Sequence, residues 1–234
     1  MTIRRIKLWD LPTRIFHWSL FALVSAALVS GEIGGNAIEW HGKFGLAIVG
    51  LVVFRLVWGF VGSTYARFAQ FFPSPASIAA YLRGQWHGLG HNPVGALSAF
   101  ALLALVLAQA LGGLFSNDDI AFRGPLFDLV GKDLSDTISG LHSLAGNVLI
   151  AFIALHVAAI IFYKRVKKNN LVLPMITGWK DVPEGAGESA KGGGVVAFVV
   201  ALAIALAAVY AASGALLPPP PPAPAVTAPA APSW

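Results

Sequence analysis

Residues 15–33, 41–61, 94–115, 142–163 and 195–217 form five apolar runs. Each matches the roughly 20 helical residues needed to cross about 30 Å of hydrocarbon. No other feature constrains the chain more. In lipid the backbone must satisfy its own hydrogen bonds, which leaves helices or a closed barrel. No strand-like alternation competes with the runs, so the expectation is an all-α integral membrane protein: a four-helix transmembrane bundle plus a fifth C-terminal transmembrane helix. Only 12% of the residues are charged, against about 25% in a soluble domain. With membrane lipid as the surroundings, a net charge of +5 needs no nucleic-acid partner. What matters is where the positive charges sit.

They sit unevenly. Arg4, Arg5, Lys7 and Arg14, then Arg67 and Arg83, then Lys164, Arg165, Lys167, Lys168, Lys180 and Lys191 fall on one side of the spans. Lys43, Arg123 and Lys132 fall on the other, beside Glu32, Glu39, Asp118, Asp119, Asp128, Asp133 and Asp136. Positive-inside orientation therefore predicts a multi-pass membrane protein with a cytoplasmic N-terminus and a C-terminus on the outer side. "SAALVSG" in the first run imitates a signal-peptide cleavage site. The preceding segment is long and holds Asp10, and the run is long enough to span, so it reads as a membrane helix. The segment 181–194, "DVPEGAGESAKGGG", reads as a flexible cytoplasmic linker. Residues 195–217 read as the fifth transmembrane helix. The tail 218–234 is proline-rich and reads as a disordered periplasmic extension.

The chain has no cysteine, which excludes disulfides, iron–sulfur ligation and thioether-linked haem. A metal site must then rest mainly on histidine. His142 and His156 are fourteen residues apart, which is about 40° short of four helical turns and about 21 Å of rise. They share one helix face near opposite membrane surfaces. His17 starts the first span on the inner side, level with His156. His41 starts the second on the outer side, level with His142. Two imidazoles on facing helices can bracket the iron of a flat macrocycle. The alternative for each histidine alone is an isolated polar residue bonded to a neighbouring helix. A metal transporter would instead want carboxylates inside the spans, which hold essentially none.

The motifs "WDLPTRIFHW", "WHGKFG", "FRLVWGFVG", "GHNPVG", "GLFSNDDI", "GLHSLAGNVLIAFIALHVAAIIFY" and "NLVLPMITG" resemble the bacterial cytochrome b561 family, which includes the b-type cytochrome subunits of nickel–iron hydrogenases. The resemblance covers about residues 5–180. It implies a di-haem cytochrome b transmembrane domain over 1–180, with two haem b groups. It places axial ligands at His17, His41, His142 and His156, paired His17/His156 and His41/His142. The implied function is transmembrane electron transfer between a periplasmic redox partner, such as a c-type cytochrome or another redox subunit, and the quinone pool. The alternatives are a superoxide:quinone oxidoreductase, for which the acidic outer loops offer no cationic funnel, and a membrane anchor subunit of a larger redox complex. No side chain is assigned as catalytic.

Arg55, near the inner end of the second span, is a candidate partner for a propionate of the inner haem, or else snorkels to the interface. Lys43 and Arg14 are weaker candidates as propionate partners. Gly42, Gly45, Gly50, Gly140 and Gly146 admit either a close macrocycle or close helix packing. Trp9, Trp18, Trp40 and Trp58 read as interface anchors. His87 and His91 lie level with no unpaired histidine. His91 or Asn92 could donate to a quinone carbonyl, while Asn92 followed by Pro93 is also an ordinary helix cap.

Overall fold

The structure is a computed structural model in which residues 2–218 are described. The tail reading falls, from residue 219 onward, outside them. The elements run β1 (Ile3–Lys7), α1 (Leu11–Ile33), α2 (Ile38–Val61), α3 (Pro75–Leu82), α4 (Pro93–Phe115), α5 (Gly131–Arg165), α6 (Val172–Thr177), β2 (Trp179–Pro183) and α7 (Val195–Ala212). Helices α1, α2, α4, α5 and α7 are each long and apolar enough to cross a membrane. The protein is a multi-pass helical membrane protein.

Helix starts follow local chemistry. Asp10 caps α1 by accepting from the Thr13 backbone N–H at 2.6 Å, with Pro12 in the first turn. Asn92 caps α4 through Gly95 N–H at 2.8 Å, followed by Pro93, whose missing N–H costs nothing there. Ser74 caps α3 in the same way. Helix α5 is longer than its apolar run. Its first turns, "GKDLSDTISG", are polar and are anchored by the buried Ser135, whose hydroxyl donates to the Phe115 carbonyl at 2.6 Å.

The bundle packs as a chain of neighbours. Helix α1 lies on α2, α2 on α4, and α4 on α5, while α7 covers another face of α2. No packing of similar extent joins α5 to α1 or α2 among the described residues. Between these helices the core is built from Val24, Ile48, Val52, Val106, Ala110 and Leu149. Helix α7 presents Ala201 and Ala205 to α2. A Cβ on Gly50 would lie 2.7 Å from Val209 Cγ2, so Gly50 serves helix packing. Small residues let the backbones approach where lipid supplies no hydrophobic drive between helices.

The topology separates charge. The N-terminal segment, the loop before α4 and the segment after α5 gather at one end, called here the basic end. The loops at 34–37 and 116–130 form the acidic end. A small antiparallel sheet, which the sequence does not announce, closes the basic end by pairing Ile3 with Pro183 through Lys7 with Trp179. The alternation is too short to read in five residues, and the partners are far apart in the chain. Leu8 and Trp9 N–H both donate to Gly178 O, at 2.8 and 3.1 Å. Gly178 takes φ 86°, and a Cβ there would lie 2.8 Å from Trp9 O. Part of the segment read as a linker is strand β2. The rest is tied down by Thr64 N–H to Lys191 O at 2.9 Å, Ala190 N–H to Lys7 O at 2.7 Å, and the Tyr65 hydroxyl to Glu188 O at 2.6 Å.

Candidate functional site

At the acidic end α2 brings His41, and α5 brings His142, to a ring-centroid separation of 5.9 Å with planes 85° apart. The two helices hardly touch otherwise, so the imidazoles reach across a gap. His41 Nδ1 lies 2.8 Å from the Ala27 carbonyl of α1. A carbonyl can only accept, so Nδ1 carries the proton and Nε2 is left with its lone pair. His142 rests against Gly112 and Gly113, where added Cβ atoms would lie 3.4 and 3.3 Å from its ring. Its Nδ1 is buried with no partner among the described residues. A cavity of about 150 Å³ lined by His41, Gly42, Gly45, Gln109, Gly113 and His142 opens beside the pair. A second, of about 60 Å³, continues inward past Gln109 to Leu149.

At the basic end His17 of α1 and His156 of α5 lie within electrostatic reach of each other. His17 Nδ1 is also buried without a partner among the described residues. A third imidazole stands here that depth counting had set apart. His91, in the loop before α4, is packed edge-on to Trp9 at 4.9 Å and tilted on Phe71 at 4.6 Å. Burial, with Arg55, His156 and His17 nearby, pushes it down to about 4. At neutral pH it is an uncharged ring with one donor and one acceptor. No sequence signal gives its depth, because a loop has no helical period. His87 is exposed.

Arg55 is only 7% exposed and does not snorkel out. Its guanidinium lies 4.6 Å over the Phe68 ring, and Nη1 is buried without a partner among the described residues. The nearby carboxylate, Asp10, is occupied by Thr13 N–H, by Trp58 Nε1 at 3.1 Å and by the Ser63 hydroxyl. A buried cation with a spare donor and, among the described residues, no ion pair suits an anionic ligand. Lys43 instead lies over Trp40 at 4.5 Å, and Arg14 donates to the Ile176 carbonyl. Trp58, read as an interface anchor, is fully buried, and its indole N–H is part of the Asp10 network. Asn92 serves as a cap and also donates to the Tyr163 hydroxyl at 2.9 Å.

Gly45 and Gly140 face open space and Gly146 meets Gln109, while Gly42 meets Phe122. Gly45 thus keeps the room a flat group would need, lining both cavities. The His41 and His142 rings, 5.9 Å apart, come close enough to offer one nitrogen each to a shared metal, and His17 and His156 offer a second pair of ring nitrogens at the other end. Among the described residues no cluster of three or more His, Asp or Glu adds to them. The cavities beside His41 and His142, walled largely by apolar and small side chains, leave room for a flat group at the acidic end.

The family model described as "Prokaryotic cytochrome b561" matches residues 8–178. A probable Ni/Fe-hydrogenase B-type cytochrome subunit from Azotobacter vinelandii is 25% identical over 75% of this chain and 88% of its own length. A similarly named protein from Rhizobium leguminosarum bv. viciae is 23% identical over 74% and 87%. The probable Ni/Fe-hydrogenase 1 B-type cytochrome subunit of Escherichia coli (strain K12) is 21% identical over 74% and 89%. No solved structure matches the chain. The matched region spans α1 to α6 and leaves out α7.

Proposed function

This chain belongs to the prokaryotic cytochrome b561 family, and from that premise we propose that it carries electrons through two bis-histidine b haems, one near each membrane surface. Transmembrane electron transfer by a haem b cytochrome is the family's role. The finer reading assigns His41 and His142 to the acidic-end haem and His17 and His156 to the basic-end haem. The observation that carries it is the 5.9 Å approach of His41 and His142 from two helices that otherwise stand apart.

When bound, a haem would supply the one-electron couple, and two imidazoles per haem would suit electron transfer rather than oxygen binding. The chain's own groups do the rest. His41 with His142, and His17 with His156, would hold the two haems, and about 21 Å of helical rise separates the two levels on α5. The packed apolar core keeps water away, which lowers the reorganisation that each electron step requires. Arg55, buried with a free Nη1 among the described residues, would hold a propionate of the basic-end haem.

The acidic end faces the periplasm in this reading, with the N-terminus cytoplasmic in the inner membrane. It exchanges electrons with a periplasmic redox partner, a basic c-type cytochrome or a hydrogenase-like subunit such as the relatives' names suggest. The basic end exchanges with quinone. Purified protein tests the haem assignment. Two extractable haems per chain should be found, with none left on the polypeptide after acid–acetone, since there is no cysteine to hold them. His41→Ala and His142→Ala should both remove one and the same haem, and His17→Ala and His156→Ala the other. If His17→Ala and His142→Ala removed the same haem, the pairing would fail.

A further inference from the structure

The small-residue run "SAALVSG" of α1 reads from sequence only as an imitation of a cleavage site. In the structure it lies against His41. A Cβ on Gly31 would stand 3.0 Å from His41 Nδ1 and 3.3 Å from Cε1, closer than such atoms normally approach. Four residues earlier, the Ala27 carbonyl accepts the Nδ1 proton at 2.8 Å. This carbonyl already serves the helical donor four residues on, and its second lone pair takes the imidazole. Ser30 is buried, and its hydroxyl reaches both Ala26 O at 2.7 Å and Ala27 O at 3.1 Å. It therefore competes weakly for the same oxygen. His142 Nδ1 makes no comparably short bond among the described residues, and the Gln109 carbonyl acts on that ring only more loosely.

We propose that Gly31 is a positioning residue for the acidic-end haem: by lacking a side chain it lets the His41 imidazole lie against α1 and donate Nδ1–H to the Ala27 carbonyl. The inference rests on His41 being an axial ligand. A ligating imidazole that donates its other proton to a carbonyl has a fixed tautomer and plane and is a more basic ligand; losing such a partner typically costs 10–100-fold in metal affinity or activity. A more basic ligand favours the ferric state. The bond therefore lowers the acidic-end haem's midpoint potential, and Ser30 moderates it by sharing the acceptor.

The test is a redox titration of the purified holoprotein with low-spin ferric EPR, in the parent and four variants. In Gly31→Ala the acidic-end haem should show a raised midpoint potential, a shifted g tensor and roughly 10–100-fold weaker haem retention, with the basic-end haem unmoved. In Ser30→Ala the same haem should shift the other way, by less, because Ala27 O is then left to His41. Val29→Ala, on an exposed face of α1, should match the parent. Opposite signs for neighbouring substitutions are not what general loosening of α1 produces. Equal shifts of both haems in Gly31→Ala, or no shift, overturn the inference. His41→Ala separates the layers: loss of the acidic-end haem beside an unmoved Gly31→Ala leaves the ligand assignment standing, whereas retention of that haem overturns both. If Gly31→Ala does not accumulate, Ser30→Ala decides alone: a lowered potential supports the device, and an unchanged or raised one overturns it.

Discussion

Replacing Arg55 with methionine should stabilise the haem-free protein and destabilise the haem-loaded one. The side chain is 7% exposed, and the one charged neighbour of opposite sign among the described residues, Asp10, is spent on Thr13, Trp58 and Ser63. Without an anionic ligand the guanidinium carries a desolvation cost of several kcal/mol. The Phe68 ring 4.6 Å away offsets this by about 0.5–2 kcal/mol. Methionine keeps the apolar stem, so the haem-free protein should gain about 1–3 kcal/mol. With a propionate in place the same change breaks a buried ion pair, at about 3–5 kcal/mol. A propionate that also meets water puts the value at the lower end. At 1.4 kcal/mol per decade, haem release should accelerate by roughly two decades or more. The assay is transfer of haem from detergent-solubilised Arg55→Met to a haem-scavenging protein, followed in the Soret band, with thermal unfolding of the haem-extracted form beside it. Fast loss should be confined to the haem that His17→Ala and His156→Ala also remove. Unchanged release, or a haem-free variant less stable than the parent, would refute the argument that the unpaired guanidinium awaits a carboxylate.

Recognition at the acidic end should depend on Glu32, Glu39, Asp128 and Asp133. Asp118 is occupied by the Ile120, Ala121 and Phe122 N–H groups at 2.8–3.0 Å, and Asp119 and Asp136 share Lys132. Stopped-flow reduction by a basic cytochrome should slow with salt and slow again when those four become amides; a salt-independent rate removes the acidic face from recognition. The Asp118 carboxyl is held below the usual carboxylate range, chiefly by the Ile120 N–H. A depressed folded value contributes stability that is present above about pH 4 and is lost as pH falls through the folded value. Hydrogen exchange at Ile120–Phe122 should stay protected at pH 5 and open below the carboxylate range; in Asp118→Ala it should already be open at pH 7. Gly50→Leu should drive Val209 away and lower the thermal midpoint through overpacking of about 1–3 kcal/mol, with both haems retained; loss of a haem would move Gly50 from packing to cofactor approach.

Much of this protein is written locally. Bilayer thickness and helical rise act on consecutive residues, so five spans could be counted, and a fourteen-residue step placed His142 and His156 on one face at two depths. Charge along the loops separated a basic from an acidic end for the same reason. Helix caps at Asn92 and Asp10 are likewise neighbour effects. What the chain does with residues far apart in sequence had no such signal. The pairing of Ile3–Lys7 with Trp179–Pro183 and the tying of Lys191 to Thr64 join segments that carry no shared period. His91 sits in a loop, where neither 100° per residue nor 1.5 Å of rise gives a depth, and only packing on Trp9 and Phe71 brings it to the basic-end pair. Arg55 reads equally well as snorkelling outward or turning inward until Phe68 and the occupied Asp10 surround it. Gly31 looks like any small residue of a membrane helix. Its relation to His41 exists only because α1 and α2 pack side by side, where one missing Cβ opens the way from a ring nitrogen to a backbone oxygen.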